Sequence, residues 1–190
     1  TAARLRGRIE NVLAWATVRK YRTGENPARW KGHLDMILAT PAKIKRVEHF
    51  KALPADKIPA FMQELDTREG TGAKALAFLI LTAARSGEVR GIPWEEVSLD
   101  DALWIVPAER MKMKKEHRVP LSNRAVDILK SQPRIDGNPL VFPAPRGSQM
   151  SDATMSAVLK RMNVDATVHG FRSSFRDWCG DYTNYPRDLA

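Results

Sequence analysis

Apolar residues recur every three or four positions along much of the chain, and this spacing predicts amphipathic helices. One helix is predicted over residues 1 to about 20 and a second near residue 58, and two more are expected to follow Ser122 and Ser151 as N-caps. The residues on their apolar faces are Leu5, Ile9, Val12, Leu13 and Ala16, then Ile58, Phe61, Met62 and Leu65, then Ala125, Ile128 and Leu129, and finally Met155, Val158, Leu159 and Met162. The pattern is that of a mostly helical protein.

Residues 75–81 are almost all apolar, and their length and alanine content favour a buried helix, although periodicity alone does not exclude a strand. This segment leads to Arg85, where a guanidinium is costly unless it is paired or directed at an anion. Glu88 lies three residues further on. Either the two form a simple ion pair, or Glu88 holds Arg85 while the free edge of the guanidinium binds a phosphate. Ser86 is expected to cap a short helix that ends near Gly91.

Short runs of β-branched and apolar residues predict a small sheet. Residues 103–106 form one expected strand, which Pro107 ends, and residues 118–121 form a second. The basic segment 110–115 between them is expected to be a hairpin tip, and residues 140–142 to be a third short strand. The predicted fold class is therefore α+β, mostly helical, with a small antiparallel sheet.

A final helix is expected after Thr167, a suitable N-cap, with Phe171, Phe175, Trp178 and Cys179 forming one apolar stripe. His169 and Arg172 are three residues apart, so they lie on neighbouring turns of one side. The start of a helix favours anions, and a phosphate would suit this position. Taken alone, the pair favours the plainer alternative, a solvated helix face with a core histidine.

The net charge points to a partner. There are 31 Lys and Arg residues against 22 Asp and Glu residues, a formal charge of +9, which favours a polyanion such as nucleic acid. A basic protein without such a partner is the alternative. Cys179 is the one cysteine of the sequence, so no internal disulfide is possible, and we expect it to be a small core residue. Neither a membrane-spanning run nor a signal peptide is visible, and we expect a cytoplasmic protein.

Three motifs in order resemble the tyrosine recombinases, in particular the integrases of prophages and integrative islands. Residues 82–89 are similar to the family's first-arginine motif, and residues 169–172 to its His-x-x-Arg motif. Lys112, eight residues before Pro120, resembles the lysine of the family's hairpin. A single His-x-x-Arg motif has little specificity, whereas the ordered set is specific. The similarity covers essentially the whole chain, and it implies the fold of the recombinase catalytic domain.

The resemblance implies a site-specific recombinase that cuts and rejoins DNA. A tyrosine attacks a phosphodiester, forms a 3′-phosphotyrosyl link and releases a 5′-hydroxyl. Arg85 and Arg172 would bind the non-bridging oxygens, with Glu88 supporting. Lys112 would protonate the leaving oxygen, and His169 would act as acid or base. Lys114 and Lys115 are alternatives to Lys112. No cofactor and no metal are expected.

The resemblance also implies a domain plan. Residues 1–38 would be the C-terminal part of a helical core DNA-binding domain, 39–53 a basic interdomain linker, and 54–190 a catalytic domain without its C-terminal segment. The expected partner is double-stranded DNA at attachment sites, with a homotetramer on DNA for the full-length protein and possible accessory DNA-bending proteins. No membrane partner is expected, and the location would be the nucleoid of a bacterial cytoplasm. The candidate DNA-binding residues are Lys43, Lys45, Arg46, Lys114, Lys115 and Arg176.

The nucleophile expected from the resemblance has no match in this sequence. The family places a second His or Trp, and then the tyrosine, further beyond the His-x-x-Arg motif than this chain extends. Tyr182 and Tyr185 follow Arg172 by only 10 and 13 residues, so we interpret them as packing or surface residues. His33, His49 and His117 match no motif position. The chain is therefore predicted to be inactive in strand cleavage, and the alternatives are a non-catalytic DNA-binding remnant or regulator and a type IB topoisomerase-like enzyme.

Overall fold

A computed structural model describes residues 2–39, 50–111 and 113–185 of the chain. It contains two compact units, Thr1–His49 and Phe50–Ala190. Most of the predicted linker 39–53, including Lys43, Lys45 and Arg46, lies outside the described residues. The functional division into a core DNA-binding part, a linker and a catalytic part therefore stays a prediction.

The first unit is built around the predicted N-terminal helix, α1 (Ala2–Val18). Glu10 ties this helix to the following segment, because its carboxylate accepts hydrogen bonds from Arg6 and from the backbone N–H of Trp30, the latter at 3.2 Å. The bond from Arg6 holds the pKa of Glu10 below its ordinary value. The apolar face of α1, including Leu5 and Val12, is exposed within this unit.

The second unit contains six α-helices within the described residues. Their bounds are α2 (Ile58–Asp66), α3 (Thr71–Thr82), α4 (Ser86–Arg90), α5 (Asn123–Lys130), α6 (Ala153–Arg161) and α7 (Gly170–Tyr182). Helix α3 lies at the centre and contacts α2, α4, α5 and α6. This arrangement confirms the interpretation of residues 75–81 as a buried helix, since Leu76 and Phe78 are fully enclosed. None of the helices in the described ranges is long and apolar enough to cross a bilayer.

The sheet has three antiparallel strands in the order β1 (Val97–Ser98), β2 (Leu103–Val106) and β3 (His117–Pro120). Trp104 of the central strand pairs with Val97 on one side and Val119 on the other. The expected strand at residues 140–142 is wrong, because only Leu140 makes a bridge, to Pro93. Val141 and Phe142 are apolar because they fill the core. The predicted α+β class with a small antiparallel sheet is confirmed.

Two of the three predicted serine caps are wrong in detail. Ser122 does cap α5, accepting the N–H of Ala125 at 3.3 Å. Helix α6 begins after Asp152, while the Ser151 hydroxyl bonds the hydroxyl of Thr154 at 3.1 Å instead. At α4 the N-cap position belongs to Arg85. No capping hydroxyl is needed there, because the carboxylate of Glu88, three residues later, accepts the backbone N–H of the N-cap residue Arg85.

Helix α7 begins at Gly170, so His169 and not the predicted Thr167 occupies its N-cap position. The Thr167 hydroxyl nevertheless accepts the N–H of Gly170 at 3.0 Å. Its apolar stripe is only half buried. Phe171 stacks on Phe61 at 5.3 Å and Cys179 is enclosed, but Phe175 and Trp178 are 42% and 45% exposed. The apolar stripe predicted from the sequence is therefore present but packs in the core only in part. Periodicity marks an apolar face but does not tell how far the neighbouring elements extend along it.

We predict that Gly170→Ala destabilises the second unit. A Cβ at Gly170 would lie 2.0 Å from the carbonyl oxygen of Lys51, which the N–H of Thr167 already binds at 2.9 Å. Since that atom is backbone, the chain must shift, at a cost of about 1–3 kcal/mol. Urea unfolding measures the change. Gly87→Ala is the control, because a Cβ there meets nothing within 4 Å. Equal stability of the two variants would contradict the prediction.

Candidate functional site

Arg85 is placed by the end of one helix and the start of the next. Helix α3 ends at Thr82, and its C-cap residue Ala83 adopts a left-handed conformation with φ of 48°. Arg85 then occupies the N-cap position of α4. The Glu88 carboxylate accepts the Arg85 backbone N–H at 3.0 Å and its Nη1 at 2.7 Å. The ion pair considered from the sequence is thus present. The Glu88 side chain is only 9% exposed and that of Arg85 is 38% exposed, so part of the guanidinium remains open to solvent.

Arg172, on α7, contacts the segment that connects α3 to α4. Its Nη1 donates to the carbonyl oxygen of Ala83, the C-cap residue of α3. Burial lowers the pKa of Arg172 below its ordinary value, the positive charge of Arg85 lowers it further, and Glu88 opposes both. Two guanidinium groups therefore repel each other at the head of α4. An anion between them would relieve that repulsion.

His169 joins the same region. It is exposed, immediately precedes α7, and packs its ring edge-on against Phe50 at 4.6 Å. An open cleft of about 540 Å³ is lined by His169, by Arg85 and the first turn of α4, and by the hairpin residues Glu109, Arg110, Met111 and Lys114. The structure therefore brings Arg85 and His169 together at this cleft. Arg172 does not line it, but binds the Ala83 carbonyl close to Arg85 in the chain.

The hairpin lysines remain open alternatives. Lys112 lies outside the described residues. Lys114 lines the cleft, with its Nζ 3.4 Å from the carbonyl oxygen of Glu109, while Lys115 is exposed and does not line it. Arg176 is exposed one turn beyond Arg172 on α7 and is likewise no part of the lining.

The other titratable residues weighed from the sequence lie elsewhere. Tyr182 at the end of α7 and Tyr185 are exposed, as are His33 and His117, and none of the four lines the cleft; His49 is not described. Among the residues that the structure describes, no group of three or more His, Cys, Asp or Glu side chains could hold a metal ion.

Comparison with known proteins decides the family. The model of the phage integrase family matches residues 51–178, and that of the phage integrase central domain matches residues 1–33. The chain belongs to the phage integrase family. This confirms the resemblance to tyrosine recombinases drawn from the sequence, and with it the prediction, at the level of the family, that the protein is an enzyme.

The curated relatives include further integrases. This integrase-family chain is 32% identical over 201 residues to the integrase of Enterobacteria phage P4. The alignment covers 95% of this chain and 44% of the phage protein. It is 33% identical over 192 residues to the prophage integrase IntZ of Escherichia coli (strain K12), covering 98% of this chain and 46% of IntZ. The chain thus spans less than half the length of these relatives.

Solved structures show the same fold at low identity. A lambda integrase (residues 75–356) dimer bound to a COC′ core site matches with a TM-score of 0.64 and 17% identity, over 96% of this chain and 68% of that one. XerA recombinase matches with a TM-score of 0.58 and 17% identity, over 76% of this chain and 56% of its own. Both confirm the predicted fold of a tyrosine-recombinase catalytic domain.

Sequence reasoning missed one residue of this integrase-family site. Arg110 was placed in a basic hairpin tip without any role. Its guanidinium instead donates to the Glu96 carboxylate and, at 2.6 Å, to the backbone carbonyl of Glu88. These partners lie 14 and 22 residues away, so no local spacing could have identified them.

We predict that inorganic phosphate stabilises the 190-residue chain through Arg172. Binding between two repelling guanidinium groups should raise the free energy of unfolding by about 1.4 kcal/mol at tenfold the Kd. Thermal unfolding in phosphate against chloride at equal ionic strength measures the gain. The gain should vanish in Arg172→Ala and persist in Arg118→Ala, a change at an exposed residue of β3. The same gain in both variants would argue against an anion site at Arg172.

Proposed function

We propose that the full-length protein is a site-specific DNA recombinase of the prophage or island integrase type, which cuts and rejoins DNA through a 3′-phosphotyrosyl intermediate. The observation that carries this proposal is that Arg172 binds the carbonyl of Ala83, two residues before Arg85, while Arg85 and His169 line one open cleft. Membership of the phage integrase family supports it.

The two arginines would bind the scissile phosphate. Arg85 uses one nitrogen on Glu88 and keeps an exposed edge, so its fork can meet a non-bridging oxygen. Arg172 is bound to a neutral carbonyl, so its charge stays available. Charge accumulates on those oxygens in the transition state, and fixed donors stabilise it without rearrangement. Glu88 would keep Arg85 oriented throughout.

Proton transfer would fall to the hairpin lysine and to His169. The 5′-oxygen that leaves the phosphate needs a proton, and an ammonium on a flexible stem can deliver it. Lys112 is our first choice from its register to Pro120, and Lys114 is the alternative that lines the cleft. His169 can exchange a proton near neutral pH at the same phosphate.

The nucleophile is proposed to be neither Tyr182 nor Tyr185. Tyr182 is 10 residues beyond Arg172 in one continuous helix, a separation of about 15 Å along its axis. In-line attack needs the reacting atoms within about 3.5 Å. The family's tyrosine would therefore come from further along the full-length protein, so the 190 residues alone should not cleave DNA.

Double-stranded DNA at attachment sites is the proposed partner. The net charge of +9 supports it. The residues proposed to contact the DNA are Lys43, Lys45, Arg46, Lys114, Lys115 and Arg176. One similar structure is a lambda integrase tetramer bound to a Holliday junction, and another is the Tn1549 transposon integrase with circular intermediate DNA. By analogy we propose a homotetramer on DNA, aided by DNA-bending proteins, acting at the nucleoid in the bacterial cytoplasm.

Arg172→Lys in the full-length protein should abolish recombination. A lysine has one nitrogen in place of a planar fork, so it cannot hold the Ala83 carbonyl and bind a phosphate with the geometry of a guanidinium. The measurement is a denaturing gel of protein with labelled suicide substrate, in which a covalent band marks cleavage. Arg118→Lys is the matched control and should keep the band. A band of wild-type intensity from Arg172→Lys would refute the role of Arg172, and a band from the 190-residue chain that depends on Tyr182 would refute the assignment of the nucleophile.

The hairpin lysine can be identified by replacing the leaving 5′-oxygen with sulfur, which leaves without a proton. Loss of the general acid should slow cleavage of ordinary DNA by about 10²–10⁴-fold and leave the sulfur substrate fast. We expect this behaviour for Lys112→Ala. Lys114→Ala is the comparison made in parallel. If Lys114→Ala shows the rescue and Lys112→Ala does not, the assignment passes to Lys114.

A further inference from the structure

Arg110 lies in the connection between β2 and β3 and joins two different parts of the second unit. Its Nη1 donates to Oε2 of Glu96, and its Nη2 donates to the backbone carbonyl of Glu88 at 2.6 Å. The Arg110 side chain is 25% exposed and that of Glu96 only 7% exposed. One rigid fork thus holds two acceptors that belong to separate elements.

Glu96 is a fixed point rather than a mobile surface carboxylate. It ends the 3₁₀ turn Trp94–Glu96 before β1, and its Oε2 also accepts the indole N–H of Trp104 at 3.0 Å. Trp104 is fully buried in the central strand β2. A carboxylate this enclosed is stable only with a charged partner and complete hydrogen bonding, and Arg110 supplies the charge.

The second acceptor is the residue that orients Arg85. Glu88 binds Arg85 through its side chain, so a bond to its carbonyl fixes the turn of α4 that carries both. The fit is close: a Cβ at Gly91, the residue after α4, would lie 3.3 Å from Nη2 of Arg110. Arg110 therefore links the hairpin, through Glu88, to the helix that presents Arg85.

We propose that Arg110 is a positioning residue for the recombination reaction, one that sets the hairpin lysine relative to the phosphate held by Arg85. The proposal rests on the proposed function. Lys112 and Lys114 follow Arg110 by two and four residues, so the hairpin that carries either lysine is anchored at Arg110. A misplacement of about 1 Å in a reacting group is enough to slow a reaction about 100-fold.

Arg110→Lys is the informative variant. Arg110→Ala would leave Glu96 buried without a charged partner and could unfold the chain. A lysine keeps that charge but lacks the fork that reaches the Glu88 carbonyl as well. We expect a midpoint of urea unfolding close to wild type, cleavage of ordinary DNA by the full-length protein slowed about 100-fold, and near wild-type cleavage of the 5′-sulfur substrate.

Arg124→Lys is the matched control. Arg124 also bridges a carboxylate, that of Asp66, and a backbone carbonyl, that of Met62 at 3.3 Å. Its bridge connects α5 to α2, and neither helix lines the cleft. Cleavage of both substrates should be unchanged in this variant. If Arg110→Lys cleaves ordinary DNA at the wild-type rate, or is equally slow on both substrates, the positioning role is wrong.

Hydrogen–deuterium exchange tests the link apart from the chemistry. In the 190-residue chain, Arg110→Lys should increase exchange both in the hairpin and in α4, whereas Arg124→Lys should leave both as in wild type. Unchanged exchange in Arg110→Lys would overturn the link itself. If the wild-type full-length protein cleaves neither substrate, the proposed function fails, and the catalytic consequence given to Arg110 fails with it.

Discussion

The geometry of the candidate site depends on the buried carboxylate of Glu88. Its two oxygens hold the backbone N–H and the guanidinium of Arg85, while its own carbonyl accepts a bond from Arg110. Helix α4 is only five residues long, too short to be stable by itself. Its position is therefore set by these bonds and by the packing of Val89 in the core. Loss of the carboxylate would release Arg85 and the start of α4 together.

Helix α3 fixes the position of the segment that carries Arg85 and α4. It is buried along most of its length, so its end cannot move without opening the core. The chain leaves it through Ala83 in a left-handed conformation, and Arg172 from α7 binds the carbonyl of that same residue. Two segments that are distant in sequence thus meet at one helix terminus. The distance between the two arginines follows from core packing rather than from a direct bond between them.

Local patterns predicted what local physics determines. Three features could be recognised because each depends on neighbours within about one turn. They are the buried helix at residues 75–81, the Ser122 cap and the three-residue spacing of Arg85 and Glu88. Strand β1 has two residues, too few to show an alternation. The partners of Arg110 and the exposure of Phe175 and Trp178 are set by tertiary contacts, which periodicity does not encode. Sequence spacing likewise did not distinguish Lys112 conclusively from Lys114.

The partners of the three arginines explain how the cleft can keep a positive charge in a well-packed unit. The charge of Arg110 is matched by Glu96, and that of Arg85 by Glu88. Arg172 is bound to a neutral carbonyl, and no ion pair to it occurs in the part of the chain that the structure describes. Burial and the charge of Arg85 lower the pKa of Arg172, so both make its charged form less favourable. A phosphate anion would reverse that penalty, and because the bonds to Ala83 and Glu88 already fix both guanidinium groups, little reorganisation would be needed when it binds.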